Sequence, residues 1–230
     1  MLQFDQAEAI LGSFHLSADF EIAPGARIAV IGPSGSGKST LLGMVAGFVP
    51  LSAGRITYGE QDLSRLTPGA RPVSILFQDQ NLFPHLSVAQ NVGLGLRPNL
   101  RLTPDEQAAI EDALSQVGLT DKADSMPAQL SGGQQSRVAL ARVALRARPI
   151  LLLDEAFSAL GPALKADMLA LLGRIADRTK ATVLMVTHDP DDARAFASET
   201  VLVMDGLAQA PVATGPLLDN PPPALRAYLG

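Results

Sequence analysis

The sequence predicts an α/β fold: a mostly parallel sheet, an antiparallel β layer and an inserted helical segment. Three observations carry that expectation. Short apolar runs alternate with helical patterns, a glycine-rich phosphate loop joins one such run to a helix, and residues 79–148 turn helical before an apolar strand resumes at Pro149. The 230 residues are expected to form one domain, with 1–78 and 149–230 as its core and 79–148 inserted. A hydrophobic content of 47% is ample for a buried core.

In chain order, Phe14–Ile22 alternates apolar and polar residues, as a half-buried strand does. Pro24-Gly25 turns the chain into Arg27–Ile31, short enough for a buried parallel strand. Gly32-Pro33-Ser34-Gly35-Ser36-Gly37-Lys38-Ser39 follows, a complete G-x-x-x-x-G-K-[ST] loop, with Thr40 behind it. Its glycines let the backbone curl, so that N–H groups converge on phosphate oxygens at a positive helix N-terminus. Lys38 is expected to reach the β- and γ-phosphates and the Ser39 hydroxyl to bind Mg²⁺. Leu41, Met44, Val45 and Phe48 recur at helical spacing, and Pro50 with Ser52-Ala53-Gly54 is expected to stop that helix. Residues 55–58 read as a strand of the antiparallel layer.

Val73–Phe77 is a further core strand, ending at Gln78. Thr103-Pro104-Asp105-Glu106 is a capping box with Pro at the first helical position, and Ile110, Leu114 and Val117 continue the stripe to Gly118. Residues 149–153 form an apolar strand that stops abruptly at Asp154-Glu155. Leu164, Met168, Leu171, Leu172 and Ile175 then mark an amphipathic helix. Thr182–Val186 is one more core strand and ends at Thr187-His188, after which Asp189 is the N-cap and Pro190 the first residue of a helix. Residues 201–204 and Asp205-Gly206 read as a late strand and turn. The tail, with Pro211, Pro216 and Pro221-Pro222-Pro223, carries few structural signals.

Ligands of open α/β sheets gather beyond the carboxyl ends of the strands, where Gly32, Gln78, Asp154, Glu155 and His188 all fall. An acidic pair behind three leucines is costly to bury unless a cation or a reaction requires it. Asp154 therefore fits a Mg²⁺ partner and Glu155 the base that activates a water. Alone, Gln78 is an ordinary loop amide and His188 a structural histidine; their place in line with the carboxylates favours a role in the site. In Leu130-Ser131-Gly132-Gly133-Gln134-Gln135, Ser131 and Gln134 make a capping box. Glycine costs up to about 1 kcal/mol against Ala inside a helix. Two in a first turn imply that something approaches the backbone closely, as a phosphate at a second helix N-terminus would.

Taken together and in this order, the phosphate loop, residues 130–135, residues 150–155 and His188 resemble the ATP-binding subunits of ABC transporters, and the resemblance runs from about Phe14 to Gly206. It implies the ABC ATPase fold on a P-loop, RecA-like core, with ATP and Mg²⁺ as ligands and two copies meeting head to tail. Gly32 to Thr40 of one copy and Ser131, Gly132, Gly133 and Gln135 of the other would then enclose ATP. The same resemblance gives Lys38 the phosphates, and Ser39, Gln78 and Asp154 the metal. Glu155, His188, Gln78 and Lys38 become the catalytic set. Residues 71–78 and the run from Asn81 to Leu96 are similar to the ATP-binding subunits of bacterial thiamine importers, which implies uptake of thiamine or thiamine pyrophosphate. The short length agrees, since related importer ATPases often carry a further C-terminal regulatory domain. A transmembrane permease would be a direct partner, docking near Phe83, Pro84 and His85, and a periplasmic substrate-binding protein an indirect one. A Pro-bounded helix start with a buried Phe83 explains that stretch equally well. The expected location is the cytoplasmic face of the bacterial inner membrane, as a peripheral subunit.

The sequence departs from that family in three places. The aromatic residue that usually stacks on adenine is replaced by Ala9 or Leu11, with Phe14 nearby; Ala156 stands for a usual Pro; and Gly161 stands for a usual Asp at the dimer seam. Composition narrows the function classes. No apolar run reaches the roughly 18 residues of a membrane span, the absence of cysteine excludes disulfides and thiolate metal sites, and a net charge of −5 disfavours nucleic acid as a partner. An ATPase of another importer, of an exporter, or a soluble ABC ATPase working on DNA or ribosomes remain alternatives.

Overall fold

The computed structural model of the chain describes residues 1–229; Gly230, the last residue of the expected 149–230 segment, lies outside them. The elements run β1 (Leu2–Leu11), β2 (Phe14–Ile22), β3 (Arg27–Ile31), α1 (Lys38–Ala46), β4 (Ala53–Tyr58), β5 (Gln61–Asp62) and β6 (Val73–Phe77). Helices α2 (Val88–Gly93), α3 (Pro104–Gln116) and α4 (Gly132–Arg146) pack on one another between β6 and β7 (Ile150–Asp154). Then come α5 (Pro162–Thr179), β8 (Thr182–Val186), α6 (Pro190–Phe196), β9 (Glu199–Met204), β10 (Leu207–Ala208), β11 (Val212–Ala213), α7 (Thr214–Asp219) and α8 (Pro223–Leu229).

One sheet has the order β5-β4-β1-β2-β10-β9-β3-β8-β7-β6, with β11 on β9. From β9 to β6 the pairing is parallel, whereas β2, β1, β4 and β5 pair antiparallel. The two-residue strand β10 joins the halves, antiparallel to β9 and parallel to β2. Successive residues of the parallel strands point to opposite faces. Ala29, Ile31, Leu151, Leu153, Val183 and Met185 face one core, shared with α2 to α6. Ile28, Val30, Ile150, Leu152, Leu184 and Val186 face a second core, shared with α1 and the antiparallel strands. Both faces are covered, which is why these strands read as continuous apolar runs. Helix α1, covered on two sides, is apolar nearly all round, with Leu41, Leu42, Met44 and Val45 buried.

Three expectations change. Phe48 does not extend the α1 stripe: Gly47, in the left-handed region at φ 87°, ends the helix, and Phe48 beyond it is 56% exposed. The stop therefore comes before Pro50. Its second component is Arg71, only 4% exposed, whose guanidinium donates to the Met44 and Val45 carbonyls at 2.6 and 2.9 Å and to that of Leu66 at 3.1 Å. A cation at a helix C-terminus satisfies carbonyls that lack intrahelical partners. Burial lowers the Arg71 pKa, and the charge of Asp62 opposes that shift. Arg71→Met is expected to destabilise the fold by about 2–3 kcal/mol, because helix-end carbonyls are left without donors; urea unfolding measures it. Third, the Pro-rich tail is ordered into α7 and α8, anchored by the buried Leu218 and Leu225.

Candidate nucleotide site

The phosphate loop leaves β3, which lies between β9 and β8 in the parallel part of the sheet, and enters α1. Gly32 must be glycine, since a Cβ there would stand 2.0 Å from the Val203 carbonyl oxygen of β9. Gly37, the N-cap of α1, has φ 107°, a backbone conformation costly for any other residue. Lys38 is buried and donates to the carbonyls of Gly32 and Pro33, each at 2.8 Å. Burial lowers its pKa, opposed by the charges of Glu155 and Asp154. The Ser36 hydroxyl is buried in the same loop with no partner of its own. An orphaned hydroxyl, a buried ammonium and a helix N-terminus together fit a phosphate chain.

At the end of β7, Asp154 Oδ1 accepts a hydrogen bond from the Ser39 hydroxyl at 3.0 Å. Burial raises its pKa, and the charge of Glu155 adds to the rise; the Ser39 bond and Lys38 oppose it. Gln78, exposed at the end of β6, lines a cavity of about 390 Å³ with Ser39, Asp154 and Glu155. Parallel pairing of β6 with β7, Phe77 opposite Asp154, sets Gln78 beside the carboxylates. This all-oxygen set suits Mg²⁺, which is usually held by one or two carboxylates together with substrate phosphates. No group of three or more His, Cys, Asp or Glu able to cage a metal occurs among the described residues.

Glu155 follows with φ 49°, an unusual backbone for a non-glycine residue that turns the chain sharply out of the strand. Its carboxylate lies 3.9 Å from Nδ1 of His188, at the end of β8. Glu155, His188, Ser34, Gly35, Gly37, Lys38, Ser39 and Thr40 line one cavity of about 610 Å³. Leu11, Phe14 and Tyr228 complete its wall. Ala9 is buried in the antiparallel layer and cannot meet a base; Leu11 and Phe14 can. Tyr228 was not legible from sequence, because only the fold of the tail brings α8 to this cavity.

The second glycine-rich segment lies apart from this cavity. Ser131 caps α4 in a reciprocal box with Gln134, at 3.3 and 2.9 Å. Ser131 and Gly132 are exposed, and the Cβ position of Gly132 faces open space. Within the chain, Gly133 is crowded by the Leu164 side chain of α5, 2.4 Å from where its Cβ would stand. Gln135 donates its amide to the Pro127 carbonyl at 2.9 Å, holding the turn before α4. At position 161, glycine is the N-cap of α5 and supplies no side-chain cap.

A parallel sheet carrying a phosphate loop on β3, a histidine after the adjoining strand β8 and an acidic pair at the end of β7, one strand further, defines a P-loop nucleoside-triphosphatase cassette. The chain belongs to the ABC transporter family: a family model of that description matches residues 16–158. Over its full length, and that of the relative, it is 60% identical to the thiamine import ATP-binding protein ThiQ of Cereibacter sphaeroides. The protein of the same name from Yersinia pestis is 45% identical over 96% of this chain and 93% of its own. The dimeric structure of MJ0796, a bacterial ABC transporter cassette, superposes with a TM-score of 0.79 at 27% identity, covering 93% of this chain and 99% of that one. A post-hydrolysis state of MJ0796 bound to ADP and Pi gives 0.78 at 27% identity, with the same coverage. The resemblance read from the motifs, the fold class and the ATPase family are thereby borne out.

Proposed function

We propose that this chain is the ATP-hydrolysing subunit of a bacterial ABC importer and energises thiamine uptake through a membrane permease. The observation that carries hydrolysis is the meeting of Glu155 and His188 across the cavity that also holds Lys38 and Ser39. Thiamine as cargo rests on the relatives' names. Lys38 and the N–H groups of Gly35 to Thr40 bind the β- and γ-phosphates, and the base lies against Leu11 and Phe14. Ser39, Asp154 and Gln78 hold Mg²⁺, which when bound neutralises phosphate charge. Glu155 takes the proton of the attacking water, and His188 orients the γ-phosphate.

A second copy, head to tail, brings its Ser131, Gly132 and Gly133 to the γ-phosphate, which the exposure of Ser131 and Gly132 permits. Residues 79–148 form the inserted helical part that carries this segment, and 1–78 with 149–230 the nucleotide-binding core. The permease docks on a groove of about 730 Å³ lined by Phe48, Leu82, Phe83 and Arg142. Phe83 is 47% exposed, which favours docking over a buried structural Phe. Asn91, fully buried, shapes the groove's rim: it accepts from the Phe83 N–H at 2.8 Å and donates to the carbonyls of Phe83, Leu86 and Ser87 at 3.0–3.1 Å. Arg142 ties the carbonyls of Gln80 and Asn81 to α4, so motion at the groove reaches the helix of Ser131.

No helix among the described residues is long and apolar enough to cross a membrane. In this reading the permease is what holds the chain at the cytoplasmic face of the inner membrane. A periplasmic binding protein delivers cargo to the permease without touching this chain, and nucleic acid has no part. The test is ATPase activity in lipid with the candidate permease, with and without thiamine-loaded binding protein. Stimulation by the loaded protein alone is the expected result. Hydrolysis without stimulation would remove the thiamine assignment for that partner set and leave the ATPase.

A further inference from the structure

Both chain neighbours of His188 are fixed by one partly buried network. Lys165, in the first turn of α5, is 14% exposed and places its ammonium 2.9 Å from Asp189 Oδ2 and 3.2 Å from Asp192 Oδ2; the Asp192 side chain is itself 13% exposed. Thr187 donates to Asp192 Oδ2 at 3.0 Å and accepts from the Asp189 N–H at 3.1 Å. Asp189 Oδ1 in turn caps α6 through the Asp191 N–H at 3.0 Å. The pKa values of the central pair agree with this arrangement. The Lys165 bond holds Asp189 below its ordinary value; for Lys165 burial works the other way, but the bonds to Asp189 and Asp192 outweigh it and raise its pKa. Exposed ion pairs contribute little. A largely buried ammonium shared by the largely buried Asp192 and the Asp189 carboxylate, one-third exposed, has a direction, and it fixes the loop that aims His188 at Glu155.

The residue beside it reaches the other way. Leu164 fills the space left by Gly133 at the start of α4. The first turn of α5 therefore touches, with adjacent side chains, the segment presented to a second copy's nucleotide and the loop that serves the chain's own. Packed side chains of this kind pass displacements on, because no void absorbs them.

We propose that Lys165 is a positioning residue for hydrolysis: it sets His188 against Glu155, and Leu164 makes that setting respond to the helix of Ser131 and Gly133. The proposal rests on the reading of Glu155 and His188 as the hydrolytic pair, and its test separates the two. Turnover, ATP affinity and melting temperature are measured for the full chain and for Lys165→Met, Lys165→Arg, His188→Ala and the Lys165→Met/His188→Ala double variant.

Lys165→Met is expected to lower kcat by about 10-fold through misplacement of His188, with ATP affinity held within about twofold, and Lys165→Arg to restore most of the rate. In the His188→Ala background, Lys165→Met is expected to change nothing further, as for two groups acting as one unit. A slow His188→Ala chain alongside a normal Lys165→Met chain would overturn the role of Lys165 alone. So would multiplying defects in the double variant, or lost stability and ATP affinity that Arg does not rescue. Normal turnover in His188→Ala would overturn both readings. Leu164→Ala is expected to weaken the cooperativity of hydrolysis in ATP; cooperativity that is absent from the wild type, or unaffected by Leu164→Ala, would overturn the part given to Leu164.

Discussion

Glu155→Gln is expected to lower ATP turnover by about 10²–10⁴-fold while ATP still binds, the range for loss of a positioned general base. Glutamine keeps the size of the side chain and one acceptor oxygen but cannot take a proton. The groups proposed to bind the β- and γ-phosphates within the chain, Lys38, Ser39 and the loop between β3 and α1, are separate from the Glu155 carboxylate. The substitution also removes a negative charge from a cavity built to receive a triphosphate, so affinity is expected to hold or rise. Single-turnover hydrolysis beside equilibrium binding of a fluorescent ATP analogue measures both. Near-normal turnover would take the base role away from Glu155.

Lys38→Met is expected to act on the opposite step, weakening ATP binding by about 10²-fold, as when one member of a buried, hydrogen-bonded charge pair is truncated. The Lys38 ammonium is held by two carbonyls only 2.8 Å away, so it stands ready in the loop before a phosphate arrives. Methionine keeps the stem and its packing and loses the charge. Titration of the same ATP analogue against both proteins checks this, and unchanged affinity would mean that backbone N–H groups alone carry the triphosphate. The two substitutions divide the site cleanly: one leaves a chain that binds and does not turn over, the other a chain that scarcely binds.

Chemistry that depends on chain-local geometry was legible in the sequence. The phosphate loop, Asp154-Glu155 and the Ser131 cap are each set by residues within a few positions of one another, and the buried strands announce themselves as unbroken apolar runs. Strand β1 escaped for a local reason. A bulge between Phe4 and Ala7, with Gln6 at φ 45°, shifts the register, so its buried residues change from Leu2 and Phe4 to Ala7 and Ala9 and the alternation breaks. Phe48 misled because helical spacing continues past Gly47 while the helix does not. Arg71, Arg142 and Lys165 are invisible to spacing rules for another reason. Arg71 meets Met44 across 27 positions and Lys165 meets Asp189 across 24, so their partners exist only once the chain is folded. The tail went unread because α7 and α8 are short, proline-flanked and held by one buried leucine each, Leu218 and Leu225.

The strand order also dictates how the molecule is assembled as it is synthesised. Strand β3 is made early, yet its two neighbours in the sheet are β8 and β9, and β2 reaches the parallel strands only through Leu207 and Ala208. Closing those pairings means bridging most of the chain, which makes them late events on any folding route. The loop that would grip the triphosphate thus leaves the ribosome before either neighbour of its strand and is among the last segments to be given walls. A chain stalled before residue 182 would carry its whole phosphate-binding motif on a strand with neither lateral partner in place, its apolar edges open to whatever else is near.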